Sequence, residues 1–138
     1  MSRKIADLVG WMQPKALELV ARAERIGLFI LITQTLRTMA EQDALYQQGR
    51  SKPGKVVTKA RAGQSPHNYG LAFDIAFVDP GRDGVTWDEP RDGAWEEVGK
   101  CGESLGLVWG GRWKAFPDRP HFEAQSWRAM IGAPDGTV

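Results

Sequence analysis

From Gly70 to Val78 the chain alternates residue by residue. Leu71, Phe73, Ile75 and Phe77 fall on one side, and Ala72, Asp74 and Ala76 on the other. Successive side chains of a strand point to opposite faces, so one face of this predicted strand is greasy and the other small and polar. The greasy face has to lie on a core. The opposite face carries an acid, which is costly to bury unless it is paired or metal-bound. The two alanines beside Asp74 leave room for an ion where larger side chains would fill the space.

Other elements fall around this strand. Pro14 opens a predicted helix, because proline is tolerated at the first helical position. Ala16, Leu17, Val20 and Ala23 recur along it at helical spacing, and Gly27 closes it. The apolar run Leu28 to Ile32 reads as a buried strand. Thr38 with Glu41 three residues later is a capping box. It opens a second helix with Gln42, Leu45 and Tyr46 on one side and Gly49 at its end. Residues 50 to 66 are rich in Lys, Gly, Ser and Pro and read as a loop with a short strand at Val56 and Val57. Residues 79 to 93 hold Pro80, Gly81, Gly84 and Pro90 and read as a long turn region. Asp92 caps a third helix, with Trp95, Val98, Gly102 and Leu105 at helical spacing and Gly106 as its stop. Short strands follow at Leu107 to Trp109 and His121 to Glu123. Helices and strands are interspersed with irregular crossovers. The expected fold class is α+β, a small antiparallel sheet flanked by helices.

Bulk properties exclude several classes. The chain has 138 residues, enough for one core and little more. Its formal net charge is +1, so nothing in the bulk electrostatics favours nucleic acid or an anionic membrane. The basic stretch from Arg50 to Arg61 is broken by Gly and Pro and reads as solvated loop. The single cysteine, Cys101, permits no internal disulfide and reads as a small core residue. No run approaches the roughly 20 apolar residues of a membrane span. Arg3, Lys4 and Asp7 interrupt the apolar core that a secretory signal needs, so synthesis in a cytoplasm without a signal peptide is expected. A monomer is the default.

The chain has two histidines, and their neighbourhoods set them apart. His67 stands in Ser65-Pro66-His67-Asn68-Tyr69-Gly70, just before the strand that carries Asp74. His121 stands in Asp118-Arg119-Pro120-His121, a turn feeding a short strand. Two imidazoles and one carboxylate make a three-ligand set, and a catalytic zinc site of that kind keeps a fourth position open. Asp118 is near enough in sequence to stand by the same ion without ligating it. No His-Glu-x-x-His helix is present, which excludes that metalloprotease architecture. A rival arrangement would place Asp118 and Glu123 on either side of a sugar bond. It leaves both histidines and Asp74 without a role.

The pattern Ser65-x-His67-x-x-Gly70-x-Ala72-x-Asp74, followed by Asp118-x-x-His121, resembles the zinc D-alanyl-D-alanine peptidases and phage endolysins. Arg37, the stretch Gln42 to Tyr46, Gly49-Arg50 and Trp109-Gly110-Gly111 are similar to its L-alanyl-D-glutamate endopeptidase branch. The likeness spans about residues 14 to 123. It implies the fold of the hedgehog and DD-peptidase group, with one zinc ion held by His67, Asp74 and His121. It further implies Asp118 as general base and Arg37 as the group that holds a substrate oxygen. Ser65 would contact substrate; Trp109 and Trp113, which bracket the glycine pair, are candidates to line the groove, with a place in the core wall as the alternative. The implied substrate is a peptidoglycan stem peptide cut between L-alanine and D-glutamate, with release to the wall through a holin. D-alanyl-D-alanine carboxypeptidase or dipeptidase activity and a non-catalytic zinc-stabilised wall-binding module are the alternatives. Residues 1 to 138 are then expected to be one catalytic domain without a separate wall-binding module, ending in a flexible tail over 132 to 138. Many relatives outside the branch have Glu where Asp118 stands, and many have an acid in place of Arg112.

Overall fold

The structure is a computed structural model, and it describes residues 1–79, 81 and 84–132. The last six positions of the expected tail lie outside the described residues. The described strands are β1 (Ile30–Gln34), β2 (Ala72–Asp79), β3 (Gly84–Thr86), β4 (Leu107–Trp109) and β5 (His121–Ala124). The described α-helices are α1 (Gln13–Arg25), α2 (Met39–Gln47), α3 (Ala94–Ser104) and α4 (Trp127–Met130). All strand pairs are antiparallel, in the order β1-β2-β5-β4, with β3 also on β2. The α+β architecture is the one expected.

β2 is the axis of the sheet, as its alternation requires. β1 runs along one edge of it, while β5 and then β3 occupy the other. Phe73, Ile75 and Phe77 are fully buried on the core face. Phe73 stacks on Phe122 of β5 at 5.7 Å between centroids, and Phe77 meets Trp95 of α3 at 4.5 Å. Helices α1 and α3 contribute Ala16, Leu19, Ala23, Trp95 and Val98 to the same core. Two glycines let α3 come close. A Cβ on Gly99 would lie 2.3 Å from the Trp109 ring, and one on Gly102 would lie 2.3 Å from Phe122. Among the described residues no helix is long and apolar enough to cross a membrane.

Several sequence expectations need correction. The inner face of α1 runs through Leu19 rather than Leu17, which is 58% exposed. β1 starts at Ile30, two residues later than the apolar run, and it is an edge strand that turns Leu31 outward. Gly93, left-handed at φ 82°, precedes α3 where Asp92 was expected to cap it, and the first turn is bonded instead by Glu89, whose carboxylate accepts the Trp95 N–H at 3.1 Å. The turn region after β2 contains β3, too short for its pattern to be read. Val56 and Val57 form no strand and are exposed. That loop is held instead by side chains. Gln48 donates to the Lys55 carbonyl, and Arg50 donates to the carbonyls of Tyr46 and Thr58. The capping box of α2 forms as the sequence predicts, Thr38 and Glu41 each accepting from the other's backbone N–H.

Candidate metal centre

His67 lies on a 3-10 turn, Pro66–Tyr69, that delivers the chain to β2. Ser65 caps this turn: its hydroxyl accepts the His67 N–H at 3.2 Å. Asn68 Oδ1 accepts the Ser65 N–H at 3.3 Å, and Asn68 Nδ2 donates to the Arg37 carbonyl at 3.0 Å. Gly70 ends the turn in the left-handed region at φ 68°. A Cβ there would stand 3.1 Å from the Asp7 carbonyl, so glycine suits both the angle and the space.

The sheet register then sets Asp74 directly opposite His121. Asp74 Oδ1 is 3.1 Å from His67 Nε2 and 3.1 Å from His121 Nδ1. One ligand atom from each of the three residues lies within 4.8 Å of the others. The outer nitrogens are also occupied. His67 Nδ1 is 2.8 Å from the Thr35 carbonyl, and His121 Nε2 is 2.7 Å from Glu123 Oε1. A carbonyl only accepts, so His67 Nδ1 must carry the proton, and its Nε2 lone pair then faces the carboxylate. With Glu123 ionised, His121 is oriented the same way. Two lone pairs aimed at one carboxylate oxygen repel unless protons or a cation lie between them. The donor set therefore fits a metal ion, with each histidine steadied by an acceptor behind it.

The protonation balance of the metal-free form expresses the same demand. Burial disfavours the charged form of Asp74, but hydrogen bonds from His121 and His67 outweigh it and hold the carboxyl well below the usual range. Burial likewise disfavours a charged His121, yet its bonds to Asp74 and Glu123 push it up to about 10. A divalent ion supplies the positive charge that these protons otherwise provide.

Asp118 and Arg37 line the same cleft, whose volume is about 590 Å³. The turn carrying Asp118 is fixed by its backbone. Asp118 N–H donates to the Gly110 carbonyl at 2.9 Å, and its own carbonyl accepts the His121 N–H at 3.2 Å. A Cβ on Gly110 would lie 2.5 Å from the Asp118 carbonyl oxygen, which explains that glycine. Burial raises the Asp118 carboxyl; the charges of His121, Asp74, His67 and Arg37 also act on it. Arg37 is buried. One of its terminal nitrogens donates to Gln42 Oε1 at 2.8 Å and the other to Gln34 Oε1. A bulge in β1 brings Gln34 opposite Asp74, which puts this anchor beside the centre.

The expected substrate contacts divide. Ser65 borders the cleft, with its hydroxyl engaged as a cap. Trp113 borders it too, its ring 5.3 Å from that of His121. Trp109 does not. It is 4% exposed, its ring lies against Gly99, and its Nε1 donates to the Arg119 carbonyl at 2.8 Å. Flanking a glycine pair said nothing about which way each indole turns. The sequence reading missed the Thr35 carbonyl, which any residue would offer, and the Gln34 and Gln42 anchors. Glu123, two residues after His121 on the same strand, is the partner of that histidine rather than one side of a sugar-cleaving acid pair.

The family described as D-alanyl-D-alanine carboxypeptidase matches residues 58–124, the stretch that holds His67, Asp74, Asp118 and His121. The peptidoglycan L-alanyl-D-glutamate endopeptidase CwlK of Bacillus subtilis (strain 168) is 44% identical over 125 residues, covering 86% of this chain and 74% of that protein. The chain belongs to this peptidase family. An L-alanyl-D-glutamate peptidase of Listeria phage A118 is 32% identical over 108 residues, which cover 78% of this chain but only 34% of the phage protein. The fold agrees with a solved vancomycin resistance D,D-pentapeptidase, VanY, in complex with Zn(II). Its TM-score is 0.62 at 15% identity, over 91% of this chain and 76% of that one.

Proposed function

We propose that this chain is a zinc-dependent endopeptidase that hydrolyses the L-alanyl-D-glutamate bond of peptidoglycan stem peptides. The observation that carries the reading is the buried His67-Asp74-His121 cluster in a cleft that also holds Asp118. The bond named for CwlK and for the phage peptidase supports the choice of substrate. A zinc ion held by these three residues would lower the pKa of a bound water toward ~7 and polarise the scissile carbonyl.

The chain's own residues do the rest. Asp118 takes a proton from the attacking water and returns it to the departing amine nitrogen. No protein donor reaches its carboxylate among the described residues, and it is half-buried, which suits a base that must exchange a proton. Arg37 offers a fixed positive fork to the carbonyl oxygen as charge develops there, and Gln34 and Gln42 keep it in place. Glu123 and the Thr35 carbonyl hold the two imidazoles in one orientation. Trp113 walls the cleft next to His121. Action on the wall as an endolysin, reached through a holin, belongs to the same proposal; the phage origin of one relative supports the endolysin role.

The test is product analysis. Purified zinc-loaded protein is incubated with peptidoglycan, and new amino termini are identified. N-terminal D-glutamate is expected. Release of terminal D-alanine alone would assign a carboxypeptidase instead, and new reducing sugar ends would overturn a peptidase altogether.

A further inference from the structure

Two cations of the cleft, Lys59 and Arg128, have no part in the chemistry above, and Arg128 is the one held on an aromatic ring beside His121 and Glu123. Arg128 follows Trp127 on α4, and both border the cleft that holds His121 and Glu123. Its guanidinium carbon lies 4.7 Å from the Trp127 ring centroid. That ring is buried and stacks in turn on Tyr69 at 6.2 Å. The Arg128 head therefore rests on a rigid aromatic floor. Its Nε is buried and has no hydrogen-bond partner, and no carboxylate pairs with it among the described residues.

Several other arginines are paired with carboxylates, whereas Arg37, like Arg128, keeps a buried Nε without a partner. Arg112 is tied to Glu96 and Glu103, Arg91 to Glu97, and Arg22 to Glu18. Arg128 as a whole is half-buried, and its terminal N–H groups meet no acceptor among the described residues, so a ligand in the cleft that accepts from them gains a charge-assisted hydrogen bond. The charges of the cleft point the same way. Its acids are Asp74, Asp118 and Glu123, all engaged in or beside the centre, and its cations are Arg37, Lys59 and Arg128. A divalent ion makes the sum positive. A planar guanidinium matches a carboxylate in two-point fashion through its two terminal nitrogens.

We propose that Arg128 binds a free carboxylate of the peptide in the cleft and so selects acidic stem peptides. This rests on the functional reading above. A glutamate within a chain uses one of its two carboxyls to continue and keeps the other free. A second free carboxylate stands at the peptide's end. The chemistry is shared, and synthetic peptides separate the two sources.

The experiment measures kcat and KM for the zinc-loaded parent and for Arg128→Gln. Three L-alanyl-D-glutamyl peptides are used: one with both carboxylates free, one with the glutamate carboxylate as its amide, and one with the terminal carboxylate as its amide. Arg128→Gln should raise KM on the fully acidic peptide by roughly 10- to 100-fold, the loss of a charge-assisted pair, with kcat little changed. The parent should lose a similar factor on one of the two amides, and Arg128→Gln should be indifferent to that same change. An unchanged KM, or an equal penalty on all three peptides, overturns the proposal. The parent's own discrimination needs no variant: equal KM on all three overturns it even if Arg128→Gln does not fold. If the parent cuts none of them, the functional reading fails, and calorimetric binding of the uncut acid and amide peptides to the parent decides Arg128. Tighter binding of the acid supports it, and equal binding overturns it.

Discussion

Asp74 illustrates how far a single residue can be read. An acid between two alanines on a greasy strand has to be paired, and the structure pairs it with both histidines. Asp118 is different, because its role depends on what does not touch it. Replacing Asp118 with Ala should leave zinc bound in one-to-one ratio and lower kcat by roughly 10²- to 10⁴-fold, the usual weight of a general base. Metal analysis beside a turnover assay checks both halves; a variant that digests walls like the parent would remove Asp118 from the mechanism. Glu123 lies one step further out. Glu123→Gln keeps the shape but loses the charge behind His121, so zinc affinity should fall by about 10- to 100-fold. A competitive chelator titration measures this. The role of Glu123 is ambiguous in sequence alone, since an acid two residues from a histidine shares its strand face whether or not that face is buried.

At the scale of elements, α3 shows packing that no periodicity contains. Its helical phase identified Trp95 and Val98 as inward, and both are buried. Gly99 carried no hydrophobic signal, yet it is where the Trp109 ring fits. Gly111 also lies against that ring, and the indole N–H is tied to Arg119, so the ring has little room to move. Gly99→Ala gains about 1 kcal/mol of helix propensity but overfills the contact, which typically costs ~1–3 kcal/mol. With the ring held, the clash wins, and a net loss of about 1–2 kcal/mol is expected. Urea unfolding at unchanged m-value reads it; a stabilised variant would show that the ring relaxes. The same logic explains why β3 and the 3-10 turn of His67 were not legible. Both are short enough that neighbours, rather than their own pattern, decide them.

For the whole molecule, the centre joins β2, β5 and the turn of His67, so occupancy links to stability. With zinc about 1,000-fold above its dissociation constant, binding to the folded state alone contributes ~4 kcal/mol. Chelation should therefore lower Tm by on the order of 10 °C for a chain of this size. It should abolish wall digestion, and added zinc should restore both. Calorimetric scans with and without chelator test this. A Tm and an activity indifferent to chelator would argue against a resident ion.

The sequence by itself determined the strand that carries Asp74, the capping box of α2, the α+β class and three polar residues apt for a metal. These follow from local rules: side-chain alternation, cap chemistry and the cost of burying an acid. Only the tertiary structure decided that Asp74 faces His121 across the sheet, that Thr35 and Glu123 fix the imidazoles, that Trp109 turns inward while Trp113 lines the cleft, and that Arg128 beside it has no carboxylate partner among the described residues. Register, backbone carbonyls and the direction of an indole are set by partners distant in the chain, so no local pattern encodes them.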